Sequence, residues 1–537
     1  MKKILLCISI ITLVQISCTK KFDDINTDPT RSDAGNFDPN LLLPTAEFSI
    51  AGAQAGYSGS LLFQSMWVQL LASTTSGAAN YYSNGDKYVP SSNTNSYLEN
   101  VWNSDYGAAS RVYELQSLIK DKPELSNLSN IALIVQLLAF HNITDIYGDI
   151  PFSEALQAKT GSITQPKYDT QQSIYTSLLS QLDGAITALD ASKTKPTNDV
   201  LPYKGDIVKW KKFGYSLMLK MAMRLTKIDA ATAKTYAEKA AAGGTFASID
   251  DNAYIKCDNA NGFGNNNAGA LNVQADIYQV RWSKKYIDYL KNNNDPRLGI
   301  IAEVPPAGIA GASNVDLTGD NTVANQLGLP NGYDLNNGPT DITTSPGYPG
   351  GSGTGGDASP IGKYSRPRGF YRDRNGPLFI LTYAETELLL AEAAARGWNV
   401  GSTTAAQHYS NGVSGALQTL SAFGADATIS SADADTYAGA HPLDVSTLDA
   451  SLKQINEQYW ATTGSMMNFV ESWNNWKRSG YPVLTALNYN GNFSGGNIPR
   501  RQLYPNGEAT LNQANYTEAA TRLSGGDKWQ SKVWWDQ

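Results

Sequence analysis

The sequence predicts an all-α protein built from paired antiparallel helices, with two long loop regions between the helical blocks. Apolar residues recur at spacings of three and four through several segments, which is the period of an amphipathic helix. Small residues also recur regularly in these segments and let helices approach closely, as in tetratricopeptide hairpins. No strict ~34-residue repeat is legible, so the helical pairs are predicted to be only partly repeat-like.

The N-terminus is predicted to be an export signal. Lys2 and Lys3 precede an apolar run from Ile4 to Ile16, and small Ser17 is followed by Cys18. At a helical rise of about 1.5 Å per residue this run reaches about 20 Å, short of the roughly 30 Å hydrocarbon core of a membrane. Residues 1–17 are therefore predicted to be a cleaved signal peptide.

A cysteine directly after a small residue at the cleavage point resembles the lipobox of bacterial lipoproteins. The resemblance implies that the thiol of Cys18 is diacylated and that the mature chain, residues 18–537, starts there. Gln15 departs from the lipobox pattern, in which an aliphatic residue is usual at that position. The alternative interpretation is an ordinary signal peptide in which the cysteine occurs by chance.

Composition excludes several classes of function. The 537 residues carry a formal net charge of −7, which becomes −9 when the two lysines of the signal leave. An acidic chain is a poor match for nucleic acid or anionic lipid as the main partner. The chain has 29 Tyr and 11 Trp but only 3 His, a balance that favours packing flat rings against a ligand over histidine chemistry.

The first helical block is predicted between residues 131 and 244. IALIVQLLAF, from Ile131 to Phe140, is apolar on every side and reads as a helix in the middle of a large core. Asp169 or Thr170 is the expected cap of the next helix. Two stripes at spacings of three and four predict the helices that follow, and an Ala-rich helix closes at Gly243 and Gly244. The stripes consist of Ile174, Leu178, Leu182, Ile186 and Leu189, and of Trp210, Phe213, Leu217, Met221 and Arg224.

The second helical block is predicted late in the chain. LTYAETELLLAEAAARGW places Leu381, Leu388, Ala391 and Ala395 on one face and ends at Gly397. A further pair is predicted through AQHYSNGVSGALQTL and the segment LDASLKQ to WKRSGYP, where Arg478 is expected to pair with a nearby carboxylate such as Glu471. In another segment, Trp102, Tyr106 and Tyr113 fall at helical spacing, which favours burial in the core over ligand contact.

Two irregular regions are predicted to be long loop insertions in a single domain, at about residues 73–97 and 251–374. Both are rich in Gly, Asn, Ser and Tyr, and the second also in Pro. Long loops inside a folded chain are uncommon unless they have a function. The ligand site is therefore expected in these two regions.

Several segments together resemble the SusD/RagB family of Bacteroidetes outer-membrane lipoproteins. They are FDDINTDPT after the lipobox, FDPNLLLPTAE (37–47), LLAFHNITDIYGDIPFSEAL (137–156), LMLKMAMRL (217–225), NDPRL (294–298), YRDRNGPLFILTYAETELLLAEAAARGW (371–398), WNNWKRSGYP (473–482) and IPRRQLYPNGEATLNQANY (498–516). The resemblance implies an all-α fold in which four tetratricopeptide-like helical pairs support a loop-rich, ligand-binding face. It also implies a surface lipoprotein, anchored in the outer membrane, that passes an oligosaccharide to a TonB-dependent, SusC-like transporter barrel.

Binding residues in this family lie in variable loops, so candidates must come from the chemistry of the loops themselves. An aromatic ring laid against the C–H face of a sugar buries apolar area while amides bind the hydroxyl groups. Loop residues of this kind are predicted to bind the ligand: Tyr81, Tyr82, Tyr88, Asn266, Tyr278 and Trp282. The alternative for the tyrosines is that they pack the loop onto the body, and for Trp282 that it anchors the core.

Other chemistries are not predicted. His141, His408 and His441 lack metal-ligand spacing, and no metal or cofactor is expected. NVDLTGDN, with Asp316 and Asp320, hints at a calcium loop but lacks the alternating oxygen pattern of an EF-hand. No GxSxG, HExxH or Gly-rich phosphate loop occurs, so an enzyme is not expected. Two alternatives to glycan capture stay open: a peptide-binding lipoprotein of a peptide importer, and a surface glycosidase.

Overall fold

The computed structural model describes residues 37–57, 59–76, 82–273, 280–306, 317–351 and 360–537. The predicted signal peptide, Cys18, Tyr81, Tyr278 and Asp316 lie outside these residues. Predictions that concern those positions therefore stay predictions.

Helices make up most of the described chain, as predicted. The N-terminal half contains α1 (Leu42–Ala53), α2 (Gln64–Trp67), α3 (Ser83–Asp86), α4 (Thr94–Ile119), α5 (Ser126–Tyr147), α6 (Ala158–Gly161), α7 (Gln171–Ala188), α8 (Ile207–Arg224) and α9 (Ala230–Gly243). The rest contains α10 (Asn266–Leu271), α11 (Lys284–Asn292), α12 (Arg297–Ile301), α13 (Tyr383–Ala395), α14 (Ala405–Thr419), α15 (Ser431–Ala440), α16 (Leu448–Ser465), α17 (Phe469–Ser479), α18 (Glu508–Leu511) and α19 (Gln513–Arg522).

Four helical pairs form the body of the domain. Consecutive helices pack against each other as α4 with α5, α7 with α8, α13 with α14, and α16 with α17. Further packing of α5 on α7, of α8 on α13 and of α13 on α16 joins the pairs into one core. This arrangement confirms the prediction of an all-α, tetratricopeptide-like fold.

Local signals in the sequence define most helix boundaries. Thr170 caps α7 by accepting a hydrogen bond from the backbone N–H of Ser173, and Asp206 caps α8 in the same way. Helix α5 is buried on most sides, as its continuous apolar sequence predicts, and ends at Gly148, whose φ of +90° favours glycine. The prediction for α13 is wrong at one position, because Leu381 lies in a strand and not in the helix.

Short two-stranded antiparallel sheets connect distant parts of the chain. The strands are β1 (Leu71–Ser73), β2 (Ile150–Pro151), β3 (Tyr168–Asp169), β4 (Ala253–Lys256), β5 (Val280–Trp282), β6 (Ala302–Glu303), β7 (Arg366–Pro367) and β8 (Pro377–Leu381). They pair as β1 with β5, β2 with β3, β4 with β8, and β6 with β7. The β1–β5 pair, in which Leu71 lies opposite Trp282, brings the two predicted loop regions together. The helix that the sequence predicts from near Ser283 is present as α11, and these regions are otherwise less irregular than expected, since they also contain α3, α10 and α12.

The core contains ion pairs that local sequence did not predict. Arg478 forms a two-pronged pair with Glu392 on α13, with both N–O distances at 2.7 Å. The expected partner, Glu471, instead pairs with Arg224 at 2.5 Å and with Lys220 at 2.8 Å. The Glu471 prediction is therefore wrong, because the carboxylate closest to Arg478 comes from a neighbouring helical pair.

No helix among the described residues is both long enough and apolar enough to cross a membrane.

Candidate functional site

Trp282 lies in the core, so the prediction that its ring contacts a ligand is wrong. Its side chain is 0% exposed, and its ring packs against Tyr286 and Tyr371 at centroid distances of 5.2 and 5.8 Å. The indole N–H donates a hydrogen bond to the carbonyl of Ile301 at 3.1 Å. Pairing of β5 with β1 turns this ring inward, which the local sequence around Trp282 does not show.

Tyr82 and Tyr88 are also buried, at 1% and 0% exposure, and neither ring can stack on a ligand in this structure. Their prediction is wrong because the segment between them folds into the short helix α3, whose own residues are all buried. The ring of Tyr82 packs against that of Tyr57 at a centroid distance of 6.4 Å. Tyr82 therefore supports Tyr57, which lies nearer the surface.

Of the predicted site residues that the structure describes, Asn266 is the one on an open surface. It begins α10, between two asparagines that hold the helix in place. The side chain of Asn265 caps the helix by accepting from the N–H of Ala268, and the side-chain Oδ1 of buried Asn267 accepts from the N–H of Gly56 at 2.7 Å. These bonds fix Asn266 at the junction of two adjoining cavities.

The two cavities form one groove, which we call the α1–α4 groove. They have volumes of about 410 and 350 Å³ and share Asn100 and Asn266 in their walls. Small residues of α1 and α4 line the first cavity, so that space remains between two helices in contact: Ser49, Gly52, Ala53, Ser104 and Gly107. From Asn100 to Arg111 the groove follows α4 for about 16 Å, at a rise of 1.5 Å per residue.

Polar side chains of the groove come from one face of α4 and from α10. Asn100, Asn103, Ser104, Gly107 and Arg111 recur at spacings of three and four, so they form one stripe along the helix. Amide groups of this kind both donate and accept hydrogen bonds, as the hydroxyl groups of a sugar require. The wall therefore offers a row of neutral hydrogen-bonding groups from Asn100 to Ser104, and the charged side chain of Arg111 lies at its end.

Aromatic rings lie at the edge of the same groove. Half-buried Phe48 lines the first cavity and packs edge-on against Phe263, which is 46% exposed. Tyr57 lines the second cavity and donates from its hydroxyl group to the carbonyl of Ala270 at 3.3 Å. These rings offer apolar surface beside the amides, which is the combination expected for a sugar ring.

Arg374 reaches the second cavity through a gap between two glycines. A methyl group on Gly269 would lie 2.5 Å from Nη1 of Arg374, and one on Gly264 would overlap the same guanidinium group. The backbone carbonyl of Arg374 accepts a hydrogen bond from the N–H of Asn265 at 2.8 Å, which fixes the segment beside α10. The two glycines therefore allow a cation to lie at this end of the groove.

Most of this groove lies on helices α1 and α4, outside the two loop regions in which the ligand site is predicted. The available signal was the polar and small face of α4, opposite the face that carries buried Trp102. Among the described residues no group of three His, Cys, Asp or Glu side chains is arranged to hold a metal. Asp320 belongs to the segment whose sequence hints at a calcium loop. Its carboxylate accepts hydrogen bonds from the backbone N–H of Thr322 and from the side-chain amide of Asn325.

Comparison with known proteins identifies similar structures along almost the whole chain. Residues 36–505 match the profile of a SusD-like family described as "Starch-binding associating with outer membrane". No curated protein sequence matches the chain.

Three solved structures illustrate the likeness. One, described as a chitin-binding protein, is 30% identical, with a TM-score of 0.76 and coverage of 93% of this chain and 100% of the other. A SusD-like protein of Bacteroidetes AC2a is 24% identical, with a TM-score of 0.79 and the same coverage. A chitin-binding SusD homologue from Flavobacterium johnsoniae is 20% identical, with a TM-score of 0.71, and covers 93% of this chain and 98% of its own. The last two likenesses concern the fold alone.

Proposed function

The chain belongs to the SusD-like family of starch-binding proteins that associate with the outer membrane, and from this membership we propose that it captures an oligosaccharide at the cell surface. The proposed binding site is the α1–α4 groove. The proposed activity is binding, without chemical conversion of the glycan.

The composition of the groove wall is the observation that carries this proposal. Asn100, Asn103 and Asn266 place three amides along the two joined cavities, and Phe48 and Tyr57 add aromatic surface. A length of about 16 Å along α4 suits an extended chain of sugars better than a single small molecule. Small side chains of α1 and α4 line the first cavity and leave space in it for a ligand.

The glycan to test first is a chito-oligosaccharide, because the 30% identical structure is described as chitin-binding. The acetamido groups of such a ligand need donors and acceptors, and side-chain amides supply both. Malto-oligosaccharides form the second class to test, because the family is described as starch-binding.

The experiment is calorimetric titration of the mature chain with chito- and malto-oligosaccharides and with peptides of similar length. Asn103→Ala and Asn266→Ala are each expected to weaken binding of the cognate glycan several-fold, because each removes hydrogen bonds worth about 1 kcal/mol. Asn292→Ala is the matched control, since this exposed asparagine at the end of α11 lies outside the groove. Unchanged affinity in both groove variants would refute the site.

The alternative functions are tested by the same titration and by overnight incubation of the protein with the same glycans. Binding of peptides but of no glycan would identify a peptide receptor and overturn the proposal. Release of reducing ends on overnight incubation would identify a glycosidase and would overturn it too.

Membrane attachment through Cys18 and delivery to a TonB-dependent, SusC-like barrel complete the proposal. Acyl chains on Cys18 would hold an acidic, helical body at the outer membrane. Cys18→Ala is expected to move the protein to the soluble fraction, and retention in membranes at the wild-type level would contradict lipidation. Mild detergent extraction after crosslinking is expected to copurify a larger barrel, and recovery of the monomer alone would count against that partner.

A further inference from the structure

The arginines of the described chain fall into two groups. Eight form ion pairs with carboxylates: Arg224, Arg297, Arg366, Arg396, Arg478, Arg500, Arg501 and Arg522. Arg281 and Arg368 donate to backbone carbonyls, and Arg372 also has a partner. Within the described residues this leaves Arg111 and Arg374 as the two arginines whose side chains have neither an ion pair nor a hydrogen bond.

Both of these arginines line the α1–α4 groove, one in each cavity. Among the residues that the structure describes, no aspartate or glutamate lines either cavity, although the whole chain has a net charge of −7. The groove is therefore a local region of positive charge on an acidic protein. A cleft with one sign of charge attracts ligands of the opposite sign.

Arg374 is also held in a position where its side chain has no ion pair with any residue that the structure describes. Its Nε is buried without a hydrogen-bond partner, while the rest of the guanidinium lies between Gly264 and Gly269 and lines the cavity. A buried donor without a partner costs free energy unless a ligand supplies an acceptor. The planar fork of a guanidinium matches the geometry of a carboxylate or a similar oxyanion.

We propose that the α1–α4 groove selects an oligosaccharide that carries an acidic group, with Arg374 and Arg111 as the residues that bind it. The proposal rests on the function proposed above and adds the chemical class of its ligand. The shared chemistry is an oxyanion on a sugar, which can be the carboxylate of a uronic acid or a sulfate ester. About 16 Å of α4 separate Asn100, at the Arg374 cavity, from Arg111, so an acidic oligosaccharide could place one oxyanion at each end.

The test compares three ligands of equal length: an oligouronate, a sulfated oligosaccharide and a neutral chito-oligosaccharide. We expect one of the two acidic ligands to bind at least about tenfold more tightly than the neutral one at low salt, as hydrogen bonds to charged groups predict. The preference should shrink as NaCl is raised, because salt screens charges in an open groove. The acidic ligand that binds better identifies the source of the oxyanion.

Variants assign the effect to the two arginines. Arg374→Gln and Arg111→Gln are each expected to remove most of the preference, while Arg374→Lys keeps the charge but loses the fork and should retain part of it. Arg368→Gln is the control, because this half-buried arginine donates to the carbonyl of Ile300 away from the groove. Melting curves of all four variants confirm that the comparison concerns folded protein.

The outcomes separate this inference from the proposed function. Equal affinity for neutral and acidic glycans, without salt dependence, would overturn the acidic specificity and leave oligosaccharide capture standing. An acidic preference that survives both Gln variants would overturn the assignment to Arg111 and Arg374. Binding of no glycan in any arm would overturn both proposals.

Discussion

Replacing Glu392 with Gln is expected to destabilise the fold strongly, because it breaks the central two-pronged ion pair. Both carboxylate oxygens of Glu392 accept from Arg478 at 2.7 Å, and Arg396 donates to Oε1 at 2.8 Å. Glu392 and Arg478 are each about 1% exposed. Loss of the carboxylate therefore leaves a buried guanidinium without its counter-charge.

The magnitude follows from the ionisation of Glu392. Burial alone would raise its pKa, but Arg478 and then Arg396 outweigh burial and lower the pKa to about 2. At about 1.4 kcal/mol per pKa unit, this depression corresponds to about 3 kcal/mol at neutral pH. Breaking a buried pair by removing one partner costs about 3–5 kcal/mol, which agrees with that value. Since the folded pKa is depressed, this stabilisation is present above about pH 4.5 and is lost as the pH falls towards 2.

A double-mutant cycle measures the pair directly. Urea unfolding of the wild type, Glu392→Gln, Arg478→Met and the double variant, followed by tryptophan fluorescence, gives the coupling free energy between the two side chains. A second, matched cycle tests Glu471, the partner that local sequence predicted. It combines Arg478→Met with Glu471→Gln in place of Glu392→Gln. A coupling of Arg478 to Glu471 larger than its coupling to Glu392 would refute the structural assignment.

Three further predictions concern the core, the pH dependence and the groove. Trp282→Ala should lower the free energy of unfolding by about 3–5 kcal/mol, since the ring is fully buried, and leave the glycan affinity of the folded protein unchanged. A weaker glycan affinity with no loss of stability would show that Trp282 contacts the ligand. Burial lowers the pKa of Lys477 to about 7, so between pH 7 and about 10 the unfolded chain binds a proton that the folded chain does not. The unfolding free energy of the wild type, relative to Lys477→Met, should therefore rise across this range in urea titrations, and a flat difference would contradict it. Gly269→Ala should preserve the fold but displace Arg374 and lower glycan affinity several-fold in calorimetry, whereas Gly184→Ala, where an added methyl meets nothing within 4 Å, should not change binding.

Helices and their caps could be predicted from sequence because their signals are local. The spacing of apolar residues and the cap at Thr170 lie within a few residues of the structure they specify. The partner of Arg478 could not be predicted, because Glu392 lies 86 residues earlier in the chain. Glu471 is close to Arg478 in sequence, but its carboxylate forms an ion pair with Arg224 on α8.

The candidate site was harder to predict because its residues also come from distant parts of the chain. Trp282 has polar and basic neighbours that suggest a surface, and its burial depends on a strand more than two hundred residues earlier. The groove needs α1, α4, α10 and Arg374 to meet, and only the polar stripe of α4 is visible within one segment. The exposure of Asn266 could be predicted because it follows from a local asparagine-rich turn at the start of α10, and its contact with a ligand stays a prediction.

Helix α4 has a practical consequence for finding the ligand. One face of this 26-residue helix carries Val101, Trp102 and Val112 into the core, and the opposite face forms the wall of the groove. The wall therefore cannot melt separately from the domain, so any compound that occupies the groove must raise the temperature at which the whole protein unfolds. At a concentration one hundred times Kd the gain is about 2.7 kcal/mol, which a dye-based thermal scan of a carbohydrate library can detect without labels or a known ligand.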